Sequence, residues 1–247
     1  MSPLPAFDQA ALLLDLDGTL LDIAPTPDSV VVPATLLDCL TTIRTHLNGA
    51  LAIISGRPIE QVDLLLRAIP TAVAGEHGGA LRHSHHSAIE RPDLPSIPAD
   101  WLATAEHLHA AHPGTILERK IRGLVLHYRL APKAGGPIHA ALTLMVATRA
   151  REFVLMEARM AWEIRPIGAD KGSALRQIMA HQPFTGRRPI FIGDDVTDRD
   201  AIAVAQALGG AGLFVPDIFG SPTNVRTWLA QAARDGAWPA CMQEDRA

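Results

Sequence analysis

Solid apolar runs alternate along the chain with segments whose apolar residues recur every three or four positions, and polar residues stand where each run stops. Residues 10–14 and 50–54 contain no polar side chain, and 71–74 and 189–192 are nearly as apolar. Runs of this length without a break predict short strands buried on both faces, as in the middle of a parallel sheet. Between them lie helix-period segments. One opens at Pro33 with Leu36, Leu37, Leu40, Ile43 and Leu47 on a single stripe, and another starts at Pro58 with Ile59, Val62, Leu65, Leu66 and Ile69. A third carries Ala174, Leu175, Ile178 and Met179; a fourth runs to Leu208; the last covers 225–234, after a short strand at 213–215. Alternating strand and helix predict an α/β fold with right-handed crossovers.

The middle of the chain has a different rhythm. From about Arg82 to Pro166 the expected strands alternate in polarity: helix 98–111, strands 116–121 and 124–130, helix 137–150, strands 153–158 and 161–165. Paired short strands of this kind predict an antiparallel sheet with one exposed face. The expectation is therefore a discontinuous parallel-sheet domain, 1–81 with 167–247, holding an inserted α+β unit at 82–166. A proline-punctuated loop spans Pro25 to Pro33, and no internal repeat or low-complexity tract occurs.

Composition narrows the function classes. The 247 residues carry a net charge of −4 with no basic run, which speaks against nucleic acid as a partner. The two cysteines, Cys39 and Cys241, lie far apart in no metal-binding spacing and read as inert thiols, which fits a reducing compartment. The longest apolar stretch, 207–215, is broken by three glycines and falls short of the ~18 residues of a membrane helix. No basic region precedes an apolar stretch at the amino terminus, so a soluble cytoplasmic protein is expected.

The chemistry sits where the strands end. Asp15 and Asp17 close the first strand, Ser55 the second and His77 the third; Asp194 and Asp195 follow the strand at 189–192, and Lys171 opens the helix after the insert. Ligands of parallel sheets bind outside the carboxyl ends of the strands. If these strands are neighbours, the groups converge, and a carboxylate-rich oxygen site of this kind suits Mg2+. Taken singly, each has a plainer reading. Asp17-Gly18 is a strong turn signal, Ser55 fits a cap for the helix at Pro58, Asp194 and Asp195 with Asp198 fit a helix N-cap, and Lys171 alone is a solvated first-turn lysine. A turn leaves Asp15 unexplained, and the ordered recurrence at strand ends favours chemistry. His83, His85 and His86 read as an exposed hairpin tip with no role, and Trp101 and Trp238 as packing residues.

The order of acid pair, hydroxyl, lysine and acid pair resembles the haloacid-dehalogenase-like (HAD) phosphotransferase superfamily. Longer stretches are similar to trehalose-6-phosphate phosphatases: residues 51–57 ending in Ser55-Gly56-Arg57, the Gly75-Glu76-His77-Gly78 turn, Glu118-Arg119-Lys120, His127-Tyr128-Arg129, and 193–198. Ala80 stands where that family often has an acid, and Arg199 where it usually has Glu. The resemblance implies a Rossmann-like HAD core with the insert as a cap. It implies that Asp15 attacks phosphorus and that Asp17 protonates the departing sugar oxygen, then deprotonates water. Ser55 and Lys171 would hold the phosphoryl oxygens. Mg2+ would bind Asp15, Asp194 and the Asp17 carbonyl, with Asp195 or Asp198 on metal-bound water. It further implies a small-molecule sugar phosphate as substrate, functional coupling to trehalose-6-phosphate synthase, and Gly56, Arg57 and His77 near the substrate.

In the insert, residues two apart share a strand face, so Glu118 pairs with Lys120, His127 with Arg129 and Glu163 with Arg165. Pattern alone favours a solvated face; the resemblance implies that Glu118, Lys120, Arg129 and Glu163 grip sugar hydroxyls and that the cap closes to exclude water. Rival readings are a HAD phosphatase for sucrose-phosphate or mannosyl-type substrates, or a regulatory protein with a dead site.

Overall fold

The computed structural model describes residues 4–24, 29–120, 122–158 and 160–240, and it divides into two compact units, Met1–Arg91 with Asp170–Ala247, and Pro92–Ala169. Residues 25–28 of the proline-punctuated loop, and Cys241, lie outside the described residues.

In the discontinuous unit, β1 (Ala10–Leu14), β2 (Leu51–Ile54) and β3 (Ala72–Gly75) are buried at every position. Consecutive burial in an extended chain means that both faces of the sheet are covered, which is why these strands carry no polar residue. The helices α1 (Ala34–His46) and α2 (Ile59–Leu66) follow the first two strands, and the short β4 (Ala80–Arg82) follows the third.

The inserted unit begins with α3 (Ala99–Ala111), β5 (Ile116–Arg119), β6 (Leu124–His127), α4 (Gly135–Ala147), β7 (Phe153–Ala158) and β8 (Ala161–Pro166). Its four strands form an antiparallel sheet in the order β5-β6-β8-β7. One face packs on the helices through Trp101, Leu124, Leu126, Ile138, Leu142, Phe153 and Ile164. Trp101 is thus a packing residue, as expected. Two strands are shorter than their patterns predicted. β5 stops at Arg119, with Lys120 just beyond it, and β6 stops at His127, which leaves Arg129 in an exposed turn.

The chain then returns to the first unit with α5 (Lys171–Met179), β9 (Arg188–Gly193), α6 (Arg199–Ala207), β10 (Ala211–Phe214), α7 (Val215–Ile218) and α8 (Pro222–Asp235). The six-stranded sheet has the order β10-β9-β1-β2-β3-β4, parallel except at β4. α1 packs on α8 and α5 on α6. Trp238 closes the amino-terminal edge, stacked on Phe7 at 4.0 Å and on Trp228 at 5.3 Å.

The pattern did not announce β4, because three residues are too few to show a period. It pairs antiparallel with β3, Gly75 facing Ala80, and Leu81 exchanges backbone hydrogen bonds with Glu90. That pairing keeps the chain with the first unit up to Arg91, ten residues past the boundary read at 81. It also corrects the reading of an exposed histidine tip in one residue: His83 is buried and stacks on His181 at 3.7 Å, whereas His85 and His86 are exposed as expected.

The arrangement that matters for chemistry is the order β9-β1-β2-β3. Leu14 is in register with Ile192 on one side and Ile53 on the other, and the Asp15 amide donates to the Ile192 carbonyl at 2.9 Å. The carboxyl ends of four parallel strands therefore lie side by side. No helix among the described residues is long and apolar enough to cross a membrane.

Candidate active site

At the mouth of β1 the chain turns sharply. Gly18 donates its amide to the Leu21 carbonyl at 2.7 Å and holds φ at +82°, a conformation open to glycine and strained for other residues. The turn reading of Asp17-Gly18 is therefore correct, and it coexists with a site. A Cβ at Gly18 would stand 2.2 Å from Asp194 Oδ2, so only the bare glycine lets β9's acid lie across the β1 turn. Thr19, absent from the predicted site, joins the two strand ends: its hydroxyl lies 3.2 Å from Asp15 Oδ2 and 3.2 Å from Asp194 Oδ1. Its signal was available in the sequence as the third residue of Asp17-Gly18-Thr19.

Lys171 corrects its single-residue reading. It is 3% exposed, and its ammonium donates to Asp15 Oδ1 and Asp198 Oδ1 at 2.6 Å each. Asp170 caps α5 by accepting the Ser173 amide at 2.7 Å, which fixes the helix start and with it the lysine. Burial works against the ammonium, but Asp15 and Asp198 outweigh it and hold the lysine above its ordinary range. Asp198 is fully buried; its second oxygen accepts the amides of Asp194 and Asp195 at 3.0 and 2.9 Å. Asp195 and Asp198 form a capping box, so the N-cap reading holds for these two residues.

Asp194 does no capping. Burial, followed by the charges of Asp15 and Asp198, pushes its carboxyl up to about 7. Burial and Asp15 push Asp198 up to about 6 against the pull of Lys171. Carboxylates raised in this way by burial and by one another mark a site short of positive charge. Oxygens of Asp15, Asp194 and Asp198 all lie within 4.8 Å of one another, an all-carboxylate set that a hard cation fits. The carboxylates of Asp17 and Asp195 are outside this group. Asp195 is exposed and accepts the Val196 amide at 2.7 Å.

The Asp17 carboxylate is held elsewhere. Arg57 donates from Nε to Oδ2 at 2.6 Å and from Nη2 to Oδ1 at 2.8 Å, a two-pronged ion pair. Ser55, buried at the end of β2, accepts the Arg57 amide at 3.2 Å within the turn, but α2 has Pro58 at its N-cap and no side-chain cap, so the reading of Ser55 as that helix's cap is corrected. The turn after β3 packs on the same segment. Glu76 and His77 both have φ of +55°, and their amides donate to the carbonyls of Arg57 and Ser55 at 3.1 and 3.0 Å. Non-glycine residues held in this region mark a segment whose surroundings over-determine it. The His77 ring lies against Gly56, where a Cβ would come within 2.6 Å of Nε2. Glu76, also missed by the sequence reading, anchors the turn through Arg91 at 2.8 Å.

In the inserted unit, the strand face turned away from the helices carries Glu118, Val125, His127, Glu163 and Arg165. Lys120 donates to Glu163 at 3.0 Å, and the His127–Glu118 pair at 2.8 Å lowers the Glu118 carboxyl below its usual range. Glu163 and Arg165 are buried, so this is not the wholly solvated face that the pattern favoured; Arg129 lies beyond β6 and does not share it as a strand residue.

Comparison with known proteins is consistent across sequence and fold. Residues 13–217 match the Trehalose-phosphatase family model. A probable trehalose-phosphate phosphatase of Sinorhizobium fredii is 36% identical over 209 residues, covering 83% of this chain and 77% of the relative. Trehalose-6-phosphate phosphatase of Escherichia coli is 37% identical over 206 residues, 81% of this chain and 75% of the relative. The fold is similar to the C-terminal domain of trehalose-6-phosphate phosphatase from C. albicans, with TM-score 0.75 at 18% identity, covering 92% of this chain and 93% of that one.

Proposed function

The chain belongs to the trehalose-phosphatase family, and from that premise we propose that it hydrolyses trehalose 6-phosphate to trehalose and inorganic phosphate through an aspartyl-phosphate on Asp15, with Mg2+ as cofactor. The observation that carries this reading is Asp15 itself: a buried carboxylate at the mouth of a central strand, with Lys171 on one oxygen and Thr19 at the other. A carboxylate so held is a nucleophile of fixed position, and nucleophilic catalysis divides the hydrolysis into two easier steps.

Electrostatics sets the main difficulty. A phosphate monoester carries about −1.5 to −2 charges near neutrality. At ~4 Å and an effective dielectric of 20, each like-charge pair with a carboxylate costs about 4 kcal/mol. Lys171 offsets part of this. A divalent cation held by Asp15 and Asp194, with Asp198 beside them, would neutralise the rest and polarise the phosphoryl group.

The steps then belong to the chain's own groups. An Asp15 oxygen forms a bond to phosphorus as the bond to the sugar oxygen breaks, and Asp17 gives that oxygen its proton. Water next attacks phosphorus, Asp17 takes the proton, and Asp15 is released with inorganic phosphate. Lys171 and Ser55 steady the phosphoryl oxygens through both steps. The discontinuous unit acts as the catalytic core and the insert as a cap, whose Glu118, Lys120 and Glu163, with Arg129, are hydrogen-bonding groups suited to a neutral polyol.

Phosphate release across a panel of sugar phosphates tests the substrate. Trehalose 6-phosphate is expected to exceed sucrose 6-phosphate, glucose 6-phosphate and mannosyl phosphates by at least about tenfold in kcat/KM. Equal turnover of glucose 6-phosphate overturns the assignment.

A further inference from the structure

The Asp17–Arg57 fork has an anatomy of its own. Both carboxylate oxygens of Asp17 accept from one guanidinium, and no other hydrogen bond to them occurs among the described residues. The Asp17 side chain is a third exposed, on a turn outside the sheet. Arg57 is the fixed partner. Its side chain is 12% exposed and Nη1 donates to Gln61 at 3.4 Å. Its amide is tied to Ser55, and its carbonyl accepts the Glu76 amide at 3.1 Å. Gly75 permits this approach, since a Cβ there would meet the Arg57 carbonyl at 2.7 Å. The arginine backbone is thus clamped between the ends of β2 and β3, and its planar head allows one orientation of the acid facing it.

We propose that Arg57 is a positioning residue that aims the Asp17 carboxylate for proton transfer, instead of a contact to the sugar. The inference rests on the mechanism above, in which Asp17 moves protons in both halves of the reaction. A reacting group displaced by about 1 Å loses on the order of 10²-fold in rate, and that is the loss expected from an unclamped Asp17.

The two halves can be separated by the leaving group. p-Nitrophenolate departs without a proton, so forming the aspartyl-phosphate from p-nitrophenyl phosphate needs no acid, whereas the water step still needs the base. Rapid-mixing kinetics of Arg57→Ala should give a first-turnover release of p-nitrophenolate within about threefold of wild type, followed by steady turnover about 10²-fold slower. With trehalose 6-phosphate, kcat should fall about 10²-fold while KM stays within about threefold. Asp17→Asn should reproduce the pattern, and adding Arg57→Ala to it should cost nothing further, because the two act as a unit. Arg57→Lys keeps the charge without the fork and should recover part of the loss; it also carries the test if Arg57→Ala does not fold.

Three results overturn the proposal: a raised KM for trehalose 6-phosphate with p-nitrophenyl phosphate turnover unchanged, loss of the first turnover as well, or additive losses in the double variant. Wild type active on p-nitrophenyl phosphate and inert on trehalose 6-phosphate would refute the substrate assignment. The split between first and later turnovers would still decide the role of Arg57.

Discussion

Replacing Lys171 with methionine keeps most of the stem's volume and removes the ammonium that lies 2.6 Å from both Asp15 and Asp198. Oxygens of Asp15, Asp194 and Asp198 lie within 4.8 Å of each other. At an effective dielectric of 20, two full charges at that distance repel by about 3.5 kcal/mol. Breaking a buried ion pair by deleting one partner costs about 3–5 kcal/mol in general, so both routes reach the same size. At about 2–4 °C per kcal/mol the melting temperature should drop by roughly 10 °C near neutral pH. Circular-dichroism melts without and with Mg2+ provide the assay. The loss should be smaller with Mg2+, which supplies charge to the same acids, and smaller again in Lys171→Met with Asp198→Asn. Phosphatase activity should stay lost in every case, because no cation then faces the phosphoryl oxygens from α5. A Lys171→Met protein melting within about 2 °C of wild type without metal would refute the reasoning, since so small a shift is incompatible with a buried, unscreened charge cluster.

Gly18→Ala should cost about 1–2 kcal/mol for its left-handed backbone and push Asp194 from a contact that a Cβ would make at 2.2 Å, so Mg2+ affinity and turnover should both fall at least about tenfold by titration calorimetry and phosphate release. Metal-free protein should lose stability as pH rises from about 4 to about 7: Asp194 and Asp198 titrate near 7 and 6 when folded and near 3.9 when unfolded, so the native state holds the extra protons in that window. Urea midpoints across pH should show the decline without metal and its flattening with Mg2+; a flat metal-free profile contradicts the crowding. Glu163→Gln weakens the Lys120 pair and should raise KM for trehalose 6-phosphate about tenfold while leaving p-nitrophenyl phosphate turnover unchanged.

Much of the fold was legible because the central strands are buried on both faces, and unbroken apolar runs leave few other structures for residues 10–14 or 50–54. Strand ends were legible for the same reason: polar residues resume where burial stops. What escaped lies in pairings across long separations. Nothing local to Arg82 or His83 reveals that β4 folds back on β3, and nothing near Lys171 shows that its partners are 156 and 27 residues away. Asp17 and Arg57 are 40 residues apart and meet only because β1 and β2 are neighbours. Cys39 behaved as read: partial burial raises its thiol to about 11, well out of the reactive range.

Mass spectrometry of enzyme quenched in acid during turnover of trehalose 6-phosphate tests the central claim most directly. A phosphoryl adduct is expected on the peptide containing Asp15, absent in Asp15→Asn and, with p-nitrophenyl phosphate as the substrate, accumulating in Asp17→Asn. An adduct on any other residue, or undiminished phosphate release by Asp15→Asn, would contradict it.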